Sequence, residues 1–128
     1  MCRQASVSYG VKALEPNLLL YFSGFSRNAS EIAKSQIMNI PNKKKELKRM
    51  YLMVDEAVRI LKSGRMSDFG KLLHESWVLK RGLSAHISNK HIDDMYNAGI
   101  KNGALGGKIL GAGGGGFMLF YVDKEKQD

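Results

Sequence analysis

Gly103-Ala-Leu-Gly-Gly-Lys-Ile-Leu-Gly-Ala-Gly-Gly-Gly-Gly-Phe-Met-Leu-Phe-Tyr-Val122 is the stretch on which the reading of this chain turns. Eight of the fourteen glycines fall between Gly103 and Gly116. They frame Lys108-Ile109-Leu110 and run directly into Phe117 to Val122, an aromatic and aliphatic run that reads as a strand. Gly111 to Gly116 contains the pattern G-x-G-x-x-G. The dinucleotide fingerprint, however, needs a helix after the loop, so that a pyrophosphate meets the helix N-terminus. A strand follows here, which argues against that site, and the missing Gly-Lys-Ser/Thr argues against a Walker-type phosphate loop. What remains is a glycine loop joining two apolar strands, at about residues 107–111 and 116–122. A two-residue hairpin needs far fewer glycines. So many suggest backbone angles, or a close approach, that side chains would block. An anion cradled by N–H groups, a second loop packed against this one, and a tight turn with no ligand all fit.

Outward from that stretch, 128 residues make one domain of ordinary size or a piece of a larger protein. Apolar residues at 44% and charged residues at 25% exclude a mostly disordered chain. No apolar run approaches the ~20 residues that cross a bilayer. Met1-Cys2-Arg3-Gln4 does not open a signal peptide. The single cysteine, Cys2, has no internal partner, so a reducing, cytoplasmic setting and no membrane contact are expected.

Residues 1–13 show no periodicity and read as irregular. Leu18-Leu-Leu-Tyr-Phe22, stopped by Ser23-Gly24, reads as a buried strand. Asn28 with Glu31 forms a capping-box arrangement for a helix carrying Ala29, Ile32, Ala33 and Ile37, which Pro41 ends. Asn42 is the expected cap of a long helix with an apolar stripe of Leu47, Met50, Tyr51, Val54, Ala57, Val58 and Leu61, closed by Gly64. Ser67 is the expected cap of a third helix bearing Phe69, Leu72, Leu73, Trp77 and Leu83. Ser88 or Asn89 opens a fourth with Ile92, Met95, Tyr96 and Ile100, and Gly103 ends it.

The formal charge of +8 is uneven, with nine basic and three acidic residues in positions 1–50. Much of the excess is Lys43, Lys44, Lys45, Lys48 and Arg49. A positive field favours nucleotides, sugar phosphates or nucleic acid. A solvated helix face is the plainer reading of the same cluster. Nucleic acid is not the expected partner, because Tyr51, the aromatic nearest the cluster, falls in the apolar stripe and is not free to stack on bases.

Lys108-Ile-Leu-Gly-Ala-Gly-Gly-Gly-Gly-Phe117 closely resembles the C-terminal motif of the GHMP kinases, the family of galactokinase, homoserine kinase and mevalonate kinase. Gly103 to Phe117 as a whole is similar to the branch of bacterial D-glycero-D-manno-heptose 7-phosphate kinases and fucokinase-like sugar kinases. Leu18-Leu-Leu-Tyr-Phe-Ser-Gly-Phe-Ser-Arg27 and Leu72-Leu-His-Glu-Ser-Trp-Val-Leu-Lys80 are similar to two further segments of that branch. The resemblance implies an α+β, ferredoxin-like C-terminal domain over residues 14–123: an antiparallel sheet packed with about four helices. Residues 124–128 then read as the truncated start of a final helix, with a last strand also missing beside the first. The resulting open sheet edge is an expected route to self-association.

The resemblance also implies what the intact kinase does. It moves the γ-phosphate of ATP, with Mg2+ assisting, to a hydroxyl of a sugar or sugar phosphate. The main phosphate loop, the metal-binding acid and the catalytic aspartate belong to a missing N-terminal half. No catalytic residue is therefore expected in this chain, which alone would be inactive and bind neither ATP nor Mg2+. Gly111, Ala112, Gly113, Gly114, Gly115 and Gly116 would shape the partner half's phosphate loop at the active site.

Several residues are candidates for the acceptor. Arg27, with Ser26 and Ser30, stands where a helix start favours an anion and would hold a phosphate already on the sugar. An exposed arginine is the alternative. His74, Trp77 and Lys80 share helical spacing and would line a sugar pocket with Trp77 stacking on the ring, or else Trp77 is core beside a hydrogen-bonded histidine. Lys108 would approach phosphate or point to solvent. His86 and His91, five apart, are not spaced to share a metal. Two competing classes remain: a basic non-catalytic binding module, and a structural fragment of a truncated kinase.

Overall fold

The computed structural model describes residues 3–22, 29–85, 87–110 and 116–127, with the side chains of 3–8, 29 and 30 set aside. In chain order the elements are α1 (Arg3–Leu14), β1 (Leu18–Phe22), α2 (Ala29–Asn39), α3 (Lys44–Ser63), α4 (Met66–Arg81), α5 (Lys90–Lys101), β2 (Gly106–Ile109) and β3 (Phe117–Tyr121). The three strands form one antiparallel sheet in the order β1-β3-β2. Leu20 lies opposite Leu119, which in turn lies opposite Lys108.

Strand alternation divides the core in two. Met118 and Phe120 of β3 face Trp77, Ile92, Tyr96 and Ile32, the larger cluster. Tyr121 faces the other way, onto Leu14 and Leu73. The loop after α4 is tied to α2, because the Ser35 and Ser84 hydroxyls meet at 2.6 Å and the Asn39 amide donates to the Leu83 carbonyl at 2.9 Å.

β1 falls where the apolar run predicts it, but as an edge strand with Leu20, Tyr21 and Phe22 exposed it is not the buried strand expected. Asn89 caps α5 by accepting from the Ile92 amide at 2.9 Å. Gly64, at φ 80°, closes α3 in the left-handed conformation that glycine adopts without strain. β2 and β3 lie within a residue or two of their expected places.

Five corrections follow from the structure. Residues 3–14 are helical, not irregular, so five α-helices are described rather than about four. α1 packs on α3 at a glycine, where a methyl group at Gly10 would sit 2.2 Å from the Leu61 carbonyl oxygen, so no apolar stripe announces it. The buried face of α3 centres on Met53, while Tyr51, at 75% exposure, and Val54 point outward. Spacings of three and four fit both phases, and only the packing against α1 and α4 chooses between them. The caps also move: Lys43 precedes α3, and Arg65 precedes α4, neither making a side-chain cap bond. Residues Lys124–Lys126 form a 3-10 turn. Asn28, the other expected cap, lies outside the described residues.

The two sheet edges differ. Among the described residues no strand pairs with the outer edge of β1, the edge on which self-association is expected. The outer edge of β2 is covered by helices. α4 lies so close to β2 that a methyl group at Gly106 would sit 2.1 Å from the Gly70 carbonyl oxygen and 2.6 Å from the His74 nitrogen. Only glycine permits that seam, which fixes where the rest of α4 lies against the strand.

Candidate functional site at the end of the β2–α4 seam

The glycine stretch is a true excursion between neighbouring strands. Its two ends are pinned by the Leu110 amide donating to the Phe117 carbonyl at 2.9 Å. Gly116 re-enters β3 at φ 89° with open space where a side chain would start. Glycine is therefore required there by backbone angle and not by crowding. A strand follows it, as the sequence demanded. Gly111, Ala112, Gly113, Gly114 and Gly115 lie outside the described residues, as do Ser26 and Arg27, and the Ser30 side chain is not described.

The seam sets where α4 lies against β2, the strand that carries Lys108. Gly106 touches α4 at Gly70 and His74. Lys108, two residues on, lies on the same strand face, ~7 Å further along. Lys80, on the last turn of α4, and Lys108 are both partly buried. Burial first, and then the charge of Lys108, push the Lys80 ammonium down to about 8. Burial also pushes Lys108 below its ordinary range.

Trp77 lies in the core, while His74 is exposed and bonded across to α5. The His74 Nδ1 and the Tyr96 hydroxyl are hydrogen-bonded, with their rings nearly parallel and 5.8 Å apart. The same hydroxyl accepts from the Gly107 amide, so one oxygen joins β2 to His74 of α4. Burial pushes the Tyr96 hydroxyl up to about 12, opposed by the Gly107 amide and Arg81. Tyr96 therefore locks the free edge of β2 to both helices. Trp77 is 0% exposed and lies 6.2 Å from the Tyr96 ring. It offers no face on which a sugar could stack, and the core reading is the one the structure supports. Its indole N–H has no hydrogen-bond partner among the described residues.

The basic cluster does not act as one surface. Arg49 joins α3 to α4 through Glu75, at 2.8 and 2.9 Å, and reaches Glu56 at 3.0 Å. Its hydrogen bond holds the Glu75 carboxyl below the usual range. Lys44, Lys45 and Lys48 remain exposed, with Tyr51 on the surface after all. No group of three or more histidine, cysteine or acidic side chains able to hold a metal occurs among the described residues. No described helix is long and apolar enough to cross a membrane. A cleft of about 400 Å³ lined by Leu19, Tyr21, Met95, Gly99 and Phe120 lies on the face of the sheet away from Lys108.

Antiparallel β2 and β3 joined across the glycine-rich segment, in a three-stranded sheet covered by helices, define an α+β domain. The chain belongs to the GHMP kinase family: the profile described as GHMP kinases C terminal matches residues 53–128. It is 35% identical over 117 residues to the D-glycero-alpha-D-manno-heptose 7-phosphate kinase of Campylobacter jejuni, covering 89% of this chain and 34% of that protein. It is 32% identical to the L-fucokinase/L-fucose-1-P guanylyltransferase of Bacteroides fragilis, covering 85% of this chain and 12% of the relative. The fold matches the crystal structure of Methanococcus jannaschii mevalonate kinase at a TM-score of 0.74 and 29% identity, over 93% of this chain and 36% of that one. The chain thus spans about a third, or less, of the length of these proteins.

Proposed function

We propose that this chain is the substrate-side, C-terminal domain of an ATP-dependent sugar kinase, with a sugar phosphate, heptose 7-phosphate first, as acceptor. The reading rests on the pinned glycine excursion with Lys80 and Lys108 at its edge. Such transfer depends on positioning and on stabilising charge at the transferring phosphoryl group, with little covalent work for the protein. Two ammonium groups suit phosphate oxygens and not a divalent cation, so Mg2+ is assigned to the N-terminal half. There it would neutralise charge on the ATP phosphates.

The surface around the excursion favours a companion half. Phe22 and Phe117 pair across β1 and β3 with ring centroids 5.2 Å apart, yet are 57% and 47% exposed. Leu20 and Leu110 are exposed close by. Docking of the nucleotide-binding half there buries this apolar end of the sheet and brings its phosphate loop against Gly111 to Gly116. Arg27, Ser26 and Ser30, at the start of α2, remain candidates for acceptor contacts in that assembly.

The test is turnover with ATP, Mg2+ and heptose 7-phosphate, by the chain alone and joined to the N-terminal half of the Campylobacter jejuni relative. ADP release and a bisphosphate product are expected from the joined protein only. A joined protein that melts cooperatively but releases no ADP with any sugar or sugar phosphate refutes the reading.

A further inference from the structure

We propose that the outward face of α3 is a docking surface for single-stranded nucleic acid, independent of the kinase reading. Lys44, Lys48, Tyr51, Asp55, Arg59 and Lys62 recur at spacings of four and three, and all six are exposed. Such spacings set them in one row along the helix, ~27 Å long at about 1.5 Å per residue. The row carries four cations and one acid. None of those cations has a carboxylate partner among the described residues. Arg49, by contrast, leaves the basic cluster for Glu75 and Glu56. The unmet lysines of the cluster therefore line up with Arg59 and Lys62 instead. Tyr51 stands in the middle of the row and is 75% exposed. Buried in an apolar stripe, its ring could not meet a base; exposed among cations, it can.

One kind of partner uses both features of the row. Two cations at each end attract phosphates and release their counterions. Between them Tyr51 offers a ring on which an unstacked base can lie, and every base has a face for it. A row of ~27 Å holds about four nucleotides, the low end of single-strand site sizes. Asp55, four residues after Tyr51, leaves the centre of the row to stacking and its ends to charge. An anionic bilayer fits less well, because a helix that lies on lipid must turn its apolar face into it. That face of α3 is turned inward, with Met53 buried and α1 and α4 packed against the helix.

Fluorescence anisotropy of a short labelled oligo(dT), titrated with the 128-residue chain, tests the surface directly. Saturable binding is expected. Four phosphate contacts give a logarithmic salt slope of about −2.8, so affinity should fall roughly fiftyfold between about 50 and 200 mM salt. Lys44→Gln combined with Lys48→Gln should weaken binding about tenfold or more at the lower salt and reduce the slope by about half. Tyr51→Ala should weaken it about fivefold or more with the slope unchanged, and Tyr51→Phe should restore it, because the ring is what stacks. These positions are exposed, so the variants should melt with the parent chain. Lys90→Gln, on α5, should bind as the parent does. Binding indifferent to Tyr51→Ala, or equal binding to a labelled polyglutamate, shows attraction for charge alone and overturns the proposal. So does the absence of oligonucleotide binding, including the case in which the chain binds only phosphatidylserine vesicles. Each result is read on the chain alone, so turnover or its absence in the joined kinase leaves it unchanged.

Discussion

Gly106→Ala is the smallest change that tests the seam on which the site depends. The added methyl group would start 2.1 Å from the Gly70 carbonyl oxygen and 2.6 Å from the His74 nitrogen. Both obstacles are helix backbone, so no side chain can swing away. Restoring an ordinary contact requires α4 and β2 to part by about 1 Å along their interface, in an interior packed as tightly as an organic crystal. Overpacking of this kind costs ~1–3 kcal/mol, and a backbone obstacle puts Gly106→Ala near ~3 kcal/mol. That is a large share of the ~5–15 kcal/mol by which a domain is stable, and it corresponds to a fall of roughly 10 °C in Tm. Gly82→Ala is the matched control. Gly82 has helical angles (φ −75°, ψ −10°), and a methyl group there meets nothing closer than 3.5 Å. It should be neutral or stabilising by ~0.4–1 kcal/mol, through the unfolded chain. Urea unfolding of both variants gives the comparison. If Gly106→Ala falls within about 0.5 kcal/mol of the parent chain, the ordinary range of an inconsequential surface change, the seam does not constrain the domain as argued.

Two further outcomes follow from the same region. The folded-state Lys80 ammonium is held at about 8, against 10.5 for a free lysine, so between those values the unfolded chain binds more protons and stability rises with pH. The full shift would be worth ~3 kcal/mol, which solvent screening of a half-exposed group reduces to ~1–2 kcal/mol. Urea unfolding at pH 7.5 and 9.5 should show this gain in the parent chain and not in Lys80→Met; parallel behaviour of the two counts against the pair. Tyr96→Phe removes the acceptor of the Gly107 amide and the partner of His74 Nδ1. A loss of ~1–3 kcal/mol is expected, with faster hydrogen exchange at Gly107, and unchanged exchange there would show that the β2 edge needs no such lock.

The strands and four of the five described helices were legible because their signals are local. Leu18–Phe22 is an unbroken apolar run of strand length, and Asn89 has the side chain and position of a helix cap. The phase of α3 was not legible. Leu47, Met50, Met53, Ala57 and Leu61 recur at spacings as good as those of Tyr51, Val54 and Val58, and the helix is apolar over too wide an arc for period alone to choose. α1 was missed because a helix that docks through Gly10 needs no stripe. Trp77 was visible as one of two readings, and burial of the whole indole decides for the core. Tyr96 was seen only as a core position. Nothing in its helix signals that its hydroxyl closes a strand edge formed by residues ten or more positions further along.

The influence of Lys108 on Lys80 was equally hidden. They are 28 residues apart, and Lys80 feels the charge of Lys108 because α4 and β2 pack backbone to backbone at Gly70 and Gly106. Gly70 opposes the Tyr121 ring and the Leu105 Cβ, while Gly106 opposes α4 itself, so both glycines are committed to closing the same layer. Other charges of the described chain are joined in pairs readable one by one: Arg49 meets Glu75 and Glu56, Lys90 meets Asp94, and Ser88 meets Asp93. Of these, the i,i+4 pair of Lys90 and Asp94 is visible in the sequence, whereas Arg49 and Glu75 lie 26 residues apart and meet only because α3 packs on α4. What a sequence hides is therefore the same throughout this chain: not which side chains are charged, but which of them the packing of helices and strands brings together.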